Sequence, residues 1–228
     1  MVKDFGRVIT AMVTPFDKNG KVDIPRAIQL AEKLASEGSD GLVLHGTTGE
    51  SPTVSTEEAN SLYRAVRSAL GSRITLIAGT GSNSTAQSIE NIKQAEDTGV
   101  DVALVVVPYY NKPSQAGMIA HFRAVAAATK LPIMIYNIPG RTGVNMLPET
   151  VLELSKVRNI TSIKESSGNL DQIGKVRSIT PPDFLVYSGD DHLTLPIIQR
   201  GGIGVVSVAS HFVGPEIQKM VGLALDGK

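Results

Sequence analysis

Lys164 lies in the run Ile160-Thr161-Ser162-Ile163-Lys164-Glu165-Ser166-Ser167-Gly168, at the end of a short apolar segment that reads as a buried strand. An ammonium taken out of water is costly unless it is paired, so such a position lowers the amine's pKa and makes it a usable nucleophile. The natural chemistry of that amine is a Schiff base with a carbonyl substrate. Taken singly, a strand-end lysine is a side chain that snorkels its charge into solvent, and Lys164 stands out through the residues that follow the other strand-like runs. These are Thr14, Gly46-Thr47-Thr48-Gly49-Glu50-Ser51, Gly79-Thr80-Gly81, Tyr109-Tyr110-Asn111, Tyr136-Asn137, Gly189-Asp190-Asp191 and Ser207. Backbone N–H groups clustered in a Gly/Thr turn suit a carboxylate, and a tyrosine beside a nucleophilic amine can carry protons. Each piece also has a plainer use: Gly-Thr-Thr-Gly as a turn, Tyr136 as a core aromatic, Asp190-Asp191 as a helix cap. Of the four histidines, His121 and His192 read as helix-face or cap residues, while His45 and His211 lie near strand ends. No pair of them has ligand spacing, so no metal is expected.

Chemistry of this kind needs a frame that gathers the ends of many segments. Short runs rich in Val, Ile and Leu alternate eight times with helix-length amphipathic stretches, the pattern of repeated βα units. The runs predict strands at 8–15, 41–46, 74–79, 102–108, 133–137, 160–164, 184–188 and 203–208. Helices are predicted at 24–36, 56–70, 85–98, 115–129, 148–155, 170–179, 193–199 and 215–225. Ser55 or Thr56 followed by Glu57 and Glu58, and Pro148 followed by Glu149, are helix starts, and Gly38, Gly71 and Gly99 stand where helices should stop. The strands are apolar on both faces, as parallel strands covered by helices must be. Eight such units most simply close into a (β/α)8 TIM barrel, an α/β fold whose active site lies at the carboxyl ends of its strands. An open doubly wound sheet is the alternative. It would want a G-x-G-x-x-G turn opening the first helix, and Gly201-Gly202-Ile203-Gly204 precedes a strand instead.

With 228 residues and no Pro/Gly/Ser-rich linker, residues 1–228 are expected to form a single catalytic domain. Lys plus Arg balance Asp plus Glu at 22 each, so no global field favours nucleic acid or an anionic membrane. Cysteine is absent, which removes disulfides, thiolate catalysis and Cys-ligated metals, and fits a cytoplasmic protein. Neither an apolar signal segment nor a spanning helix is expected from the sequence.

Together the motifs resemble those of the dihydrodipicolinate synthase family, also called 4-hydroxy-tetrahydrodipicolinate synthases. The resemblance rests on Gly46-Thr47-Thr48-Gly49-Glu50-Ser51, Pro108-Tyr109-Tyr110-Asn111-Lys112-Pro113, Tyr136-Asn137-Ile138-Pro139-Gly140-Arg141-Thr142-Gly143, Ile163-Lys164-Glu165 and Ser188-Gly189-Asp190-Asp191, in order along essentially the whole chain. It implies a cofactor-free, Schiff-base lyase that condenses pyruvate with L-aspartate 4-semialdehyde, the committed step toward diaminopimelate and lysine. Lys164 would form the imine and Tyr136 would give and take protons. Thr47 would link Tyr136 to Tyr110, which would reach in from a neighbouring subunit of a homodimer or homotetramer. Thr48 would hold the pyruvate carboxylate and Arg141 that of the semialdehyde, a task suited to a guanidinium fork. Gly189 and Val206 would line the pyruvate pocket.

Ser51, Asn83 and Tyr109 match positions that contact lysine in feedback-inhibited members of the family. Thr56, Ala59 and Gln87 stand where lysine-sensitive relatives carry two histidines and a glutamate, so weak or absent inhibition by lysine is expected. The resemblance also implies a set of helices after the barrel, which this chain is expected to lack. Two readings stay open beside the synthase: a related pyruvate-dependent aldolase of the N-acetylneuraminate lyase or keto-sugar-acid type, and a truncated, catalytically idle barrel.

Overall fold

The computed structural model describes residues 5–228. Eight parallel strands close into a barrel in chain order: β1 (Val8–Ala11), β2 (Gly41–Leu44), β3 (Thr75–Gly79), β4 (Val102–Val106), β5 (Ile133–Asn137), β6 (Ile160–Glu165), β7 (Leu185–Ser188) and β8 (Gly204–Ser207). Around them run α1 (Ile24–Ser36), α2 (Thr56–Leu70), α3 (Thr85–Glu96), α4 (Gln115–Ala127), α5 (Pro139–Thr142), α6 (Pro148–Ser155), α7 (Leu170–Ile179), α8 (Thr194–Ile198) and α9 (Ser210–Leu225). Among the described residues no helix is long and apolar enough to cross a membrane.

Side-chain alternation along each strand divides the core in two. Inside the barrel pack Ile9, Ala11, Val43, Ile77, Val102, Leu104, Met134, Tyr136, Tyr187 and Val206. Between strands and helices, larger clusters form, one around Val105, Phe122, Ile135, Ile163 and Val186, the other around Leu34, Leu42, Leu62, Val66 and Leu76. The helix starts follow local chemistry. Asp23 caps α1 through the Arg26 N–H, and Ser55 and Glu58 cap α2 reciprocally, satisfying N–H groups that a helix end leaves without partners.

Several boundaries differ from the sequence-based expectation. β4 stops at Val106, short of Pro108, since proline cannot donate to a ladder and restrains the residue before it, while β1 stops at Ala11, well short of Pro15, where the Val13 N–H turns to His211 Nε2 at 3.2 Å. The last helix starts at Ser210, upstream of Pro215, and breaks at Val213 (φ −131°, ψ 37°), where the proline ring disfavours a regular preceding turn. The short helix Pro139–Thr142 was not among the expected elements; it fits proline's preference for a first helical turn, and Gly143 ends it at φ 76°.

At the amino end of the barrel, Asp40 ties three parts of the chain together. Its carboxylate accepts from the Arg7 N–H at 2.7 Å, the Val8 N–H at 2.9 Å and Gln218 Nε2 of α9 at 2.9 Å. Its own N–H donates to the Val8 carbonyl at 2.8 Å. β1 and β8 close the barrel with Val8 opposite Val205, Ile9 opposite Val206 and Thr10 opposite Ser207.

Candidate active site

β6 delivers Lys164 into the carboxyl end of the barrel, in register with Tyr136 of β5 on one side and Tyr187 of β7 on the other. The lysine is only 6 % exposed, and its Nζ lies 4.1 Å from the centroid of the Tyr136 ring. Burial disfavours the ammonium and brings its pKa down from 10.5 to about 8; the Arg141 guanidinium pushes the same way, while Asp190 and Asp191 oppose it. A useful fraction of free amine is therefore present near neutral pH.

Tyr136 is buried in turn, which holds its phenol above the usual range and keeps it a proton donor at neutral pH; Arg141 and the hydroxyls of Ser166 and Thr47 oppose that rise. Thr47 and Ser51, from the turn after β2, line a cavity of about 390 Å³ together with Tyr109, Ile138 and Arg141. An adjoining cavity of about 40 Å³ shares Thr47 and Ser51 and adds His45 and Tyr136.

The Gly/Thr turn is anchored from below. His45 adopts a left-handed conformation (φ 57°), and its ring nitrogens lie 2.9 Å from the Gly79 carbonyl and 3.2 Å from the Ser51 carbonyl, either tautomer donating to one of them. A side chain at Gly79 would begin 2.1 Å from the His45 carbonyl oxygen, so only glycine lets the two strand ends approach this closely. Thr14 donates to the Gly49 carbonyl at 2.6 Å, fixing the far side of the turn.

The structure brings Lys164, Tyr136, Thr47, Arg141 and Gly189 to one end of the barrel, with Val206 on the interior wall and Thr48 half-buried in the same turn. Tyr110 is not gathered in: it stands 87 % exposed at φ 73°. Tyr109 and Ser51 line the larger cavity, and Asn83 lies beside the tyrosine loop, its carbonyl accepting from Asn111 Nδ2 at 3.0 Å. Asp190-Asp191 does not form the helix cap read from the sequence, since Asp190 holds the N-cap position without a side-chain bond and Asp191 instead accepts from the Ser207 hydroxyl and from the Val208 and Ala209 N–H groups. His121 is buried against Thr85 in the helical layer, and burial lowers its pKa.

Sequence reasoning passed over Glu165 and Ser166. Glu165 follows the lysine and faces outward, fully buried, where its carboxylate accepts from Asn137 Nδ2 at 3.0 Å and the Ser167 N–H at 2.8 Å. Asn137 also donates to Asn145 and accepts from the Met146 N–H, so this network ties the Arg141-bearing segment to the strand that carries Lys164. Desolvation raises the Glu165 pKa from 4.5 to about 7.

A raised carboxyl pKa means that the folded state holds a proton the unfolded state releases. The resulting stability is full below about pH 4.5 and is lost as pH rises through about 7. Glu165→Gln is therefore expected to flatten the fall in melting temperature between pH 5 and 8. A variant that keeps the wild-type slope would show that Glu165 does not titrate in this way.

Comparison with known proteins places these features in a family context. Residues 4–228 match the model of the dihydrodipicolinate synthetase family. The 4-hydroxy-tetrahydrodipicolinate synthase 1 of Halalkalibacterium halodurans is 56 % identical over 225 residues, covering 99 % of this chain and 76 % of that protein. The structure of the Cyanidioschyzon merolae enzyme with lysine bound superposes with a TM-score of 0.95 at 54 % identity, covering 97 % of this chain and 76 % of that one. Dihydrodipicolinate synthase of Bacillus anthracis gives a TM-score of 0.96 at 49 % identity, over 98 % and 77 % of the two chains.

Proposed function

The chain belongs to the dihydrodipicolinate synthetase family, and from that premise we infer that it is a 4-hydroxy-tetrahydrodipicolinate synthase, a lyase condensing pyruvate with L-aspartate 4-semialdehyde. The observation that carries this reading is a buried lysine amine, its pKa brought down to about 8, held over a tyrosine ring at the catalytic end of a barrel.

In this reading the free amine of Lys164 attacks the pyruvate ketone, and the carbinolamine so formed loses water to give an iminium. Loss of a methyl proton turns the iminium into an enamine, whose carbon attacks the aldehyde of the semialdehyde. The substrate's own amine then displaces Lys164 by transimination and closes the ring. Tyr136 is the proton carrier, a role supported by its protonated state and by the position of the Lys164 amine over its ring. Thr48 and the adjoining N–H groups receive the pyruvate carboxylate, Arg141 at the wider cavity receives that of the semialdehyde, and Gly189 and Val206 shape the pyruvate end. Thr47 connects Tyr136 to Tyr110 across a tight dimer, an arrangement favoured by the exposure of Tyr110 on the isolated chain. Ser51, Asn83 and Tyr109 are the candidate contacts for a lysine effector. The whole chain acts as one catalytic domain.

Borohydride reduction with pyruvate, followed by peptide mass spectrometry, tests the reading. The expected adduct is on Lys164, and addition of the semialdehyde to unreduced enzyme consumes the imine and releases product. A folded protein that yields no adduct would overturn the assignment. The rate of imine formation below pH 8 is limited by free amine, so it should rise roughly tenfold per pH unit and level off above that point. A rate that keeps climbing to pH 10 would show that the amine is not depressed.

A further inference from the structure

Ser166 lies two residues beyond Lys164, on the same side of the extended chain. Pairing continues this far, since the Ser166 N–H donates to the Asn137 carbonyl at 2.8 Å. The residue is 9 % exposed, yet its buried hydroxyl has no hydrogen-bond partner of ordinary geometry. A buried hydroxyl left in this state is destabilising, and its location explains why it is tolerated. A side chain on Gly189 would begin 2.0 Å from Ser166 Oγ and 2.9 Å from Lys164 Cε. The hydroxyl therefore stands beside the stem of the nucleophilic lysine, and it is near enough to Tyr136 to oppose the rise in that residue's pKa. Ser162, buried without a partner two residues earlier, is opposite Met134 instead.

We propose that Ser166 is a positioning residue for proton transfer, donating a hydrogen bond to Tyr136 Oη when that oxygen gives up its proton during imine formation. This rests on the assignment of Lys164 as nucleophile and Tyr136 as proton carrier. In the step concerned, the carbinolamine oxygen takes the Tyr136 proton and departs as water with the C–O bonding pair. The nitrogen lone pair closes the C=N bond, leaving an iminium and a phenolate. The phenolate needs donors at that moment, and catalytic hydrogen bonds that are poorly aligned in a free enzyme commonly tighten in the reacting complex. The groups bearing on Tyr136 are the Lys164 amine from β6, Arg141 from α5, Asp190 after β7 and the Thr47 hydroxyl after β2. Thr47 is exposed, whereas Ser166 is shielded from water, so its donor strength is less diluted by solvent. Ser166 thus gives Tyr136 a partner within its own subunit, independent of Tyr110.

The test is Ser166→Ala, measured in the wild-type and Tyr136→Phe backgrounds. In the first, the rate of borohydride-trappable imine formation should fall about tenfold, less than the roughly 10²–10³-fold that follows loss of an oxyanion-hole donor, because the Thr47 hydroxyl still bears on Tyr136. The alkaline limb of the pH profile should move upward, because the phenolate is less well stabilised. The melting temperature should hold or rise, because an unpartnered buried hydroxyl is removed. In the Tyr136→Phe background the same substitution should change nothing further, as acting through the tyrosine requires. Unchanged rate and pH profile for Ser166→Ala, or an equal loss in both backgrounds, would overturn the proposal while leaving the Lys164 assignment intact. Absence of any adduct from the wild-type chain would overturn that assignment and this proposal together.

Discussion

Lys164→Ala is expected to abolish the pyruvate adduct and to lower turnover by at least about 10³-fold, because the covalent route disappears with the amine. Lys164→Arg should be nearly as damaging: it restores a charge, but a guanidinium does not deprotonate to a nucleophile. Neither loss should reflect unfolding. The folded-state pKa of about 8 lies below the ordinary 10.5, so the folded protein binds fewer protons than the unfolded chain between those values. The penalty for burying the amine is therefore full below about pH 8 and vanishes above about 10.5. At pH 7 the alanine variant escapes that penalty, which offsets the packing lost with the lysine stem, and its melting temperature should stay near that of the wild type. A trapped adduct on another lysine, or turnover within tenfold of wild type, would sink the assignment.

Gly189→Ala is expected to be the most damaging single-methyl substitution at the site. The added carbon would start 2.0 Å from Ser166 Oγ, 2.9 Å from Lys164 Cε and 3.1 Å from Lys164 Cγ, so both side chains must shift. Misplacing a nucleophile by about 1 Å can cost roughly 100-fold in rate, and overpacking of this kind destabilises by about 1–3 kcal/mol. Turnover and imine formation should fall together by that factor, with a modest drop in melting temperature. Adding Ser166→Ala removes the shorter clash and should recover stability without restoring the rate. Wild-type imine formation by Gly189→Ala would show that the lysine stem has room that the structure does not indicate.

The barrel and its buried lysine were legible in the sequence for a physical reason. Parallel strands covered on both faces leave uninterrupted apolar runs, and a lysine ending one of them contradicts its surroundings. Residues 133–137 were delimited correctly from that pattern, α2 and α6 from their start signals, and α1 and α7 from their apolar periodicity. The proline-bearing ends were less legible. Pro15 and Pro108 lie beyond the ladders of the strands expected to include them, and Pro215 reads as a helix start although α9 begins earlier and kinks before it. In the site, hydroxyl and glycine types were conspicuous, but composition cannot reveal whether a hydroxyl has found a partner. Alternation from Lys164 was the available clue to Ser166, placing it on the lysine's side; its unmet hydrogen bond required coordinates. Glu165 was hidden for the opposite reason, since a charged residue at a strand end reads as solvent-facing until Asn137 and Ser167 are seen around it.

The Asp40 tie at the barrel's amino end also constrains the order of assembly. β1 is the first strand and meets β8 across almost the entire chain, while the same carboxylate that holds Arg7 and Val8 also receives Gln218. During vectorial synthesis, β1 and the latest strand made each present an unpaired edge until residues 204–207 have emerged, and open edges are templates for pairing with other chains. Native closure is thus a late, long-range event whose loop entropy is repaid only when both ends are present. Asp40 sits where that closure is made, one side chain joining the barrel's first strand to the helix that follows its eighth.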